Sequence, residues 1–329
     1  GGGGGGGGGS RPPRQWVEEV DKVKDLRGHQ QAVKAIALAT EGPGLGLYTG
    51  SKDGQVRVWD PSTGQQSNTV SVGGDVGAIL VVGNYLFVAI PNCIKVWNME
   101  NNQQHDLYGH QGEVNALVPV NDLAIVFSAG ADGVIRGWKL EPSTGQFTLC
   151  GQMQGNGTAI TRMLAAGHLL HCAHINGAIS IWDLNSGGQC VHTVSGHASA
   201  ITGMMLYDTF IITCAMDGLV KIWGSVGGPI DCVFTHTPDE QARSGGAGGV
   251  PRGGALALCG SLNADSEPML LVSYNDCSVG LFALPSFEER GSLRNKTAVR
   301  TLTPGAEGIF FAGEEGGIVK VWKWVSKQK

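Results

Sequence analysis

One unit of the sequence reads LRGH at residues 26–29, TGSKDG at 49–54 and VWD at 58–60. A Gly-His pair, an Asp-Gly turn and a closing Trp-Asp within about forty residues are typical of one four-stranded unit of a repeat architecture. The residues on both sides of the Asp-Gly turn alternate apolar with polar or small side chains, which predicts two strands joined by a hairpin. The unit therefore predicts one small antiparallel sheet.

Six further copies of this unit follow along the chain. Their closing aromatic residues are 38 to 44 residues apart, except for one step of 59. These positions are Trp59, Trp97, Trp138, Trp182, Trp223, Phe282 and Trp322. A single four-stranded sheet cannot bury both of its faces, whereas seven sheets packed around an axis can. We therefore predict an all-β, seven-bladed propeller.

The two ends of the chain predict how the ring closes. The sequence finishes on a third strand, 318–324, and an additional strand-like segment, 20–26, precedes the first Gly-His pair. We expect this segment to supply the outer strand of the last blade. The expected domains are a disordered Gly-rich linker at 1–15, the propeller at 16–326 with a flexible insert at 236–254, and a tail at 327–329. Because the chain does not begin with Met, we expect it to be a fragment that lacks an upstream part.

Composition and charge restrict the classes of function. A chain of 329 residues with one propeller has no room for a second folded domain of ordinary size. The formal net charge is −5, which gives no overall electrostatic footprint for nucleic acid. No secretory signal and no stretch long enough to span a bilayer is visible, so we expect no membrane partner and an intracellular protein of the nucleus or cytoplasm. The eight cysteines lack C-x-x-C spacing, which favours reduced, buried thiols over disulfides.

Three units carry a His, a Ser or Thr, an Asp and a Trp at matching positions. Hydrolases combine the first three residue types, but they need one such set beside one oxyanion hole. A set that repeats at the blade period favours structural hydrogen bonds, so we predict no catalytic residues and no enzyme activity. The predicted tetrads are His29, Thr49, Asp53 and Trp59; His110, Ser128, Asp132 and Trp138; and His197, Thr213, Asp217 and Trp223.

Units two, four, six and seven carry incomplete sets. Pro91, Asn176 and Gly316 stand where the Asp would lie in three of them. We expect these blades to be less stable. A dense cluster, His168 to His174 with Cys172, alternates between the two faces of a strand, so three metal ligands do not readily converge there. We therefore predict structural histidines and no metal site in this chain.

The repeated pattern resembles the WD-repeat family. That resemblance implies that each tetrad locks the turns of its blade through hydrogen bonds, and that the face near the Gly-His loops binds partners. A narrower resemblance, to the propeller of plant CCCH-type zinc-finger WD-repeat proteins, rests on segments spread over the chain. These are 47–54, 83–97, 233–236 (VFTH), 255–260 (ALALCG), 284–291 (LPSFEERG), 310–313 (FFAG) and 321–324 (VWKW).

The narrower resemblance implies one or two CCCH fingers upstream of the propeller, which hold zinc and bind RNA or DNA. Here the first cysteine is Cys93, inside the second blade. We therefore expect no cofactor in this chain and zinc only in an absent N-terminal finger. Some WD-repeat adaptors of ubiquitin ligases carry Trp-Asp-x-Arg at a blade end, and residues 59–62 and 182–185 lack this Arg. An adaptor role is therefore the less favoured interpretation.

The favoured hypothesis is a non-enzymatic scaffold, a monomeric propeller that binds a protein or peptide on the Gly-His face. Residues that flank the start of each inner strand, or precede the turn Asp, are expected on this face. They are Lys34, Lys52, Asp75, Glu113, Asn115, Thr161, Thr202, Met216 and Arg300. The alternative is nucleic-acid binding by the propeller itself, through the basic segments near its two ends, 22–57 and 320–329.

Overall fold

The predicted all-β propeller of seven blades is confirmed. The structure, a computed structural model, describes residues 20–120, 125–155, 157–224, 230–237 and 253–325. These residues form seven four-stranded antiparallel sheets and no helix. The described part of the chain thus contains no helix long and apolar enough to cross a membrane. The predicted linker at 1–15, the centre of the predicted insert at 238–252 and the tail at 327–329 lie outside the described residues.

The first strand of the chain, β1 (Val20–Leu26), joins the last blade, and the other strands follow blade by blade. Blade 1 contains β2 (Val33–Ala39), β3 (Gly46–Ser51), β4 (Gln55–Trp59) and β5 (Gln66–Ser71). Blade 2 contains β6 (Ala78–Val82), β7 (Tyr85–Ile90), β8 (Cys93–Asn98) and β9 (Gln103–Tyr108). Blade 3 contains β10 (Val114–Val120), β11 (Ile125–Gly130), β12 (Val134–Glu141) and β13 (Gln146–Gln154).

Blades 4 to 6 repeat this order, and blade 7 is completed by β1. Blade 4 contains β14 (Ile160–Ala166), β15 (Leu169–His174), β16 (Ala178–Asp183) and β17 (Gln189–Ser195). Blade 5 contains β18 (Ile201–Tyr207), β19 (Phe210–Ala215), β20 (Val220–Gly224) and β21 (Asp231–His236). Blade 6 contains β22 (Ala255–Leu262), β23 (Pro268–Tyr274), β24 (Ser278–Ala283) and β25 (Glu288–Arg294). Blade 7 contains β26 (Val299–Pro304), β27 (Ile309–Glu314) and β28 (Val319–Trp324).

Within each blade the first strand is innermost, and the inner strands of neighbouring blades contact one another around the ring. Burial follows this order: every residue of β3 is buried, whereas β5 on the outside of the same blade is almost wholly exposed. Side chains on both faces of the second strand pack against neighbouring blades. The near-continuous apolar sequences of the second strands therefore follow from burial on both faces.

Seven apolar clusters form the core, one at each junction between blades. At the junction of blades 7 and 1, for example, Leu26, Trp59 and Phe311 pack together. The closing aromatic of each blade packs toward the preceding blade, as Trp59 does here and Trp223 does at the junction of blades 4 and 5. The stability of each blade is therefore shared with its two neighbours.

The ring is closed by β1, as the sequence predicts. Val20 pairs with Trp324 and Leu26 with Val319 in an antiparallel ladder. This pairing supplies hydrogen-bond partners for the backbone N–H and C=O groups at the edge of β28, which would otherwise be exposed.

The cysteines differ from expectation at four positions. All eight are free, but Cys277 is only half-buried. Cys150, Cys190 and Cys232 are exposed. They lie on the outer strands of blades 3, 4 and 5, where the blade edge faces solvent, so the prediction of buried thiols is wrong for these three.

Replacing Leu26 tests the closure. Leu26→Ala should lower the free energy of unfolding by about 2–5 kcal/mol, because a side chain only 3% exposed leaves a cavity at the closing junction. The matched control is Val23→Ala on the same strand, where the side chain is 56% exposed and little change is expected. Urea unfolding followed by tryptophan fluorescence measures both, and equal midpoints for the two variants would contradict this account of closure.

Candidate functional site: the Gly-His face

In blades 1, 3 and 5 the structure brings the four residues of each predicted tetrad together. In blade 1, His29 Nδ1 lies 3.0 Å from the Asp53 carboxylate and His29 Nε2 lies 2.8 Å from Thr49 Oγ1. Trp59 Nε1 donates to the same hydroxyl at 2.9 Å. The corresponding three distances are 3.0, 2.7 and 2.8 Å in blade 3 and 2.9, 2.8 and 2.8 Å in blade 5.

In blades 1 and 5 these bonds run in one direction. The indole N–H donates to the hydroxyl, the hydroxyl donates to His Nε2, and His Nδ1–H donates to the carboxylate. In blades 1 and 5 this order requires a neutral imidazole with its proton on Nδ1. In blade 3 the Arg136 guanidinium, which can only donate, lies 2.8 Å from both His110 Nδ1 and the Asp132 carboxylate, so this proton position does not follow there. The carboxylate of Asp53 also accepts the backbone N–H groups of Gln30 and Gln55. It thereby joins the Gly-His loop to the hairpin turn.

The environment fixes the ionisation of these groups. Burial lowers the pKa of His29 and of His110, and this outweighs the opposing effect of the neighbouring carboxylates. Burial alone would raise the pKa of Asp53, but hydrogen bonds from Gln30 and His29 outweigh it and hold that pKa below its usual value. The tetrads of blades 1 and 3 therefore combine a neutral histidine with an ionised aspartate near neutral pH.

The tetrads are inaccessible to a substrate. The side chains of Thr49, Ser128 and Thr213 belong to residues with no exposed surface. Their hydroxyls already accept from an indole and contact a histidine. A buried hydroxyl that occurs in three equivalent blades is a structural group, so the candidate site must be sought on the surface.

Blade 4 builds a related network from other positions. Cys172 stands where blade 1 has Thr49, and the acceptor for the indole N–H of Trp182 is instead Ser180 Oγ, at 3.0 Å. His174 Nε2 lies 2.7 Å from the same hydroxyl, and Asn176 caps the turn through the N–H of Ala178. His171 and Cys172 are buried in the blade. No group of three metal-binding side chains is found in the parts of the chain that the structure covers.

Blade 7 replaces the tetrad by a buried ion pair. Lys320 Nζ lies 2.7 Å from Glu314 Oε1 and 2.9 Å from Asn295 Oδ1, and Thr297 donates to the other oxygen of Glu314. The N–H of Gly316, at the expected Asp position, donates to Thr297. The sequence pattern missed this network because its residues differ in type from the tetrad.

Blade 2 differs from blade 1 in the backbone of its hairpin turn. Ile90 pairs directly with Cys93, so the turn has only Pro91 and Asn92 between the strands. One residue is missing relative to blade 1, and Pro91 is therefore not a substitute for an Asp. Asn92 instead exchanges hydrogen bonds with Gly112 in the next blade.

A ring of β-bulges surrounds the inner end of the blades on the Gly-His face. The pairing register shifts by one residue near the start of the inner strand in every blade except blade 2. The extra residue of a bulge is unpaired and its side chain is re-aimed. These residues are Lys34, Asn115, Thr161, Thr202, Leu256 and Arg300.

Three of these predicted face residues connect neighbouring blades. Asn115 donates to the Ile160 carbonyl, Thr161 to that of Ile201 and Thr202 to that of Ala255, at 3.1, 2.6 and 2.8 Å. The polar groups of these three side chains therefore hold neighbouring blades together. Sequence alone did not indicate this, because the acceptors are backbone atoms of the next blade.

Charged residues of the predicted face form pairs. Lys34 of blade 1 lies 3.0 Å from Asp75, on the segment that enters blade 2, and Arg300 lies 2.9 Å from Glu315. Glu113 is exposed at the start of blade 3. The charged part of the face thus spans blades 7, 1 and 2 and reaches blade 3.

Six residues at the hairpin turns form the outer part of the face. Each is exposed, and its N–H donates to the carbonyl just before an inner strand, as Lys52 does to Ala32 and Met216 to Ala200. The six are Lys52, Ala131, Ile175, Met216, Asn275 and Glu315. Ala131, Ile175 and Met216 belong to consecutive blades, and we call these three residues the apolar arc.

The apolar arc is the feature that the sequence prediction described only in part. Ile175 is 56% exposed and Met216 is 41% exposed. Ile175 lies directly before Asn176, so the rule that selected Lys52 and Met216 also selects it. Large exposed apolar side chains grouped on one face mark interaction surfaces.

Comparison with known proteins agrees with this architecture. The model of the WD domain, G-beta repeat, matches residues 20–60, 101–139 and 188–224, the three segments that contain the complete tetrads. Zinc finger CCCH domain-containing protein 17 of rice is 33% identical over 309 residues, which cover 94% of this chain and 67% of that protein. The chain belongs to the plant CCCH zinc-finger family with a WD-repeat propeller. Within this family, Zinc finger CCCH domain-containing protein 48 of Arabidopsis thaliana is 37% identical over 300 residues, 91% of this chain and 66% of that protein. The chain thus spans about two thirds of the length of these family members.

Removing the hydroxyl of one tetrad should destabilise the propeller of this chain. Thr213→Val keeps the shape of the side chain but leaves Trp223 Nε1–H and His197 Nε2 without their partner, at a cost of about 1–3 kcal/mol. Thr148→Val on an exposed outer strand is the control. Chemical unfolding measures the difference, and a Thr213→Val midpoint equal to that of the control would refute the structural role.

Stability should also depend on pH in a defined direction. Folding lowers the pKa of His29 and His110 below 6.5, so the unfolded chain takes up protons first as the pH falls. The contribution of these two histidines to the free energy of unfolding is therefore full above pH 6.5 and is lost as the pH falls below it. His105, His171 and His174 shift in the same direction. Thermal midpoints should fall between pH 7.5 and pH 5, with a smaller fall in His110→Gln. A midpoint that does not change over this range would contradict the account.

Proposed function

We propose that this propeller is a non-enzymatic scaffold that binds an extended segment of a partner protein across its Gly-His face. The apolar arc supplies the anchor for apolar side chains of the partner. The charged residues of blades 7, 1 and 2 contact its polar part. The observation that carries the proposal is the grouping of exposed Ile175 and Met216 on the face where the turns of six blades converge.

The distribution of polar groups supports binding rather than catalysis. The His, Ser or Thr and Asp side chains of the tetrads are bonded to one another inside the blades. On the face, Thr161 and Thr202 bond to carbonyls of the next blade. What is left exposed is a set of apolar and charged side chains, the composition of a protein-binding surface.

The relatives suggest how this activity fits a larger protein. They are named for a CCCH zinc finger. In a protein of that organisation, the finger would hold zinc and contact RNA or DNA, and the propeller would recruit a protein partner. The propeller itself needs no cofactor for this role.

Nucleic-acid binding by the propeller is less well supported. Lys22 and Arg27 pair with Asp25, and Lys320 pairs with buried Glu314. The basic segments at the two ends of the chain are therefore partly neutralised within the fold. This lowers the positive potential that a phosphate backbone requires.

Substituting the apolar arc tests the proposal. The double change Ile175→Glu and Met216→Glu should reduce capture of partners from plant extract by about tenfold or more, because it places two charges in the anchor. Affinity capture with nuclease-treated extract, quantified by mass spectrometry, is the measurement. Lys52→Glu should weaken capture less. Lys34→Glu is avoided, since it would put a second carboxylate beside that of Asp75.

The control uses equally exposed apolar residues elsewhere on the same side of the ring. Leu149→Glu and Val191→Glu lie on the outer strands of blades 3 and 4, where the side chains are 51% and 54% exposed. They should leave capture unchanged. If the control abolishes capture and the apolar-arc variant does not, the partner binds the rim of the propeller. If all captured proteins disappear with nuclease, nucleic acid is the ligand.

A further inference from the structure

Arg162 is a half-buried cation on the inner wall of the ring. It follows the bulge residue Thr161 on β14, the innermost strand of blade 4. Its Nη1 donates to the Thr161 carbonyl at 2.8 Å. Among the described residues no carboxylate pairs with it, and the only titratable group close enough to influence its pKa is the Cys214 thiol of blade 5.

Three cations that are buried or half-buried in the ring have close carboxylate partners. These pairs are Lys34 with Asp75, Arg136 with Asp132 and Lys320 with Glu314, at 3.0, 2.8 and 2.7 Å. Arg162 has no such partner among the described residues. Arg57, Lys221 and Lys24 also lack a carboxylate, and they bond instead to Gln55 and Gln66, to Thr235 and to the Thr63 carbonyl. A guanidinium removed from water without a counter-ion is costly, and an isolated chain would not gain stability from it.

The surroundings of Arg162 do not supply a negative charge. Burial raises the pKa of the Cys214 thiol to about 12, so the thiol is neutral near pH 7. The hydroxyls of Thr161 and Thr202 donate to backbone carbonyls. Burial lowers the pKa of Arg162, but a guanidinium stays protonated in proteins. The site therefore has one positive charge and several neutral groups.

Arg162 is also close to the face. It is one residue beyond the ring of bulges, and the N–H of Ile175 in the apolar arc bonds to the carbonyl of Ala159, three residues before Arg162. A segment anchored on the arc therefore has its neighbouring side chains near the inner end of blade 4. A side chain that enters the ring there meets Arg162.

We propose that Arg162 receives the carboxylate of an Asp or Glu side chain in the segment that docks on the Gly-His face. This inference rests on the proposed function and specifies the chemistry of the partner: an extended segment with apolar anchors and an acidic residue beside them. One guanidinium matches one carboxylate through two parallel N–H···O bonds. A phosphate would call for further cations, and Lys34 and Arg300, the cations at the bulges of blades 1 and 7, are already paired.

An oriented peptide array tests this assignment with the full chain. The probes are degenerate heptapeptides whose central residue is Glu, Asp, Gln, Asn or phosphoserine. The unsubstituted protein should bind the Glu or Asp set about tenfold more strongly than the Gln and Asn sets, the size expected of one charge-assisted bond. Arg162→Met should lose this preference, and Arg162→Lys should keep part of it.

Thermal unfolding of the same variants tests whether the charge lacks a partner in the free protein. Arg162→Met should match or exceed the original midpoint, since it removes an uncompensated cation and keeps the volume. A clear loss of stability in both Arg162→Met and Arg162→Lys would mean that Arg162 has a structural partner, and it would overturn the assignment.

The remaining outcomes separate this inference from the proposed function. If the Ile175→Glu and Met216→Glu variant loses binding but the acidic preference is absent or survives in Arg162→Met, the face binds peptides and the role of Arg162 is wrong. If the phosphoserine set binds best and depends on Arg162, the ligand is a phosphate and the carboxylate assignment is wrong. If the original protein binds no set, both proposals fail.

Discussion

The pairing of β1 with β28 is the contact on which the rest of the structure depends. Each blade buries both of its faces only because it has a neighbour on each side, and the seven apolar clusters form a closed series. Without the first strand, blade 7 would lack its outer edge, and Leu26 would leave the cluster that joins blade 7 to blade 1. The ring, the central wall that carries Arg162 and the common face of the turns all follow from this closure.

Within that ring, polar residues fall into two groups with different roles. Buried sets bond to themselves, as in the tetrads of blades 1, 3 and 5 and the Glu314–Lys320 pair of blade 7. Side chains at the bulges and turns reach the Gly-His face, where some join neighbouring blades and others stay exposed. The same turns thus stiffen the blades and present the apolar arc. A rigid surface of this kind loses little conformational entropy when a partner binds.

The candidate site could be predicted in part. The tetrads were readable because their residue types repeat at a fixed spacing, and Lys52 and Met216 were readable from their position beside the turn Asp. The network of Ser180 with His174 in blade 4 could not be predicted, because its hydroxyl lies on the third strand of the blade and not on the second, as in the tetrads. The hydrogen bonds of Asn115, Thr161 and Thr202 were equally hidden, because their acceptors are backbone carbonyls far away in sequence.

The sequence by itself determined the number of blades, the closing strand and the residue types of three tetrads, because these depend on local periodicity and short-range turn chemistry. Only the tertiary structure decided which charges are neutralised, as between Lys34 and Asp75, and which are not, as at Arg162. It also decided that Ala131, Ile175 and Met216 share one face. Ion pairing and surface grouping depend on distances between blades, and a repeat pattern contains no information on contacts that its individual copies do not share.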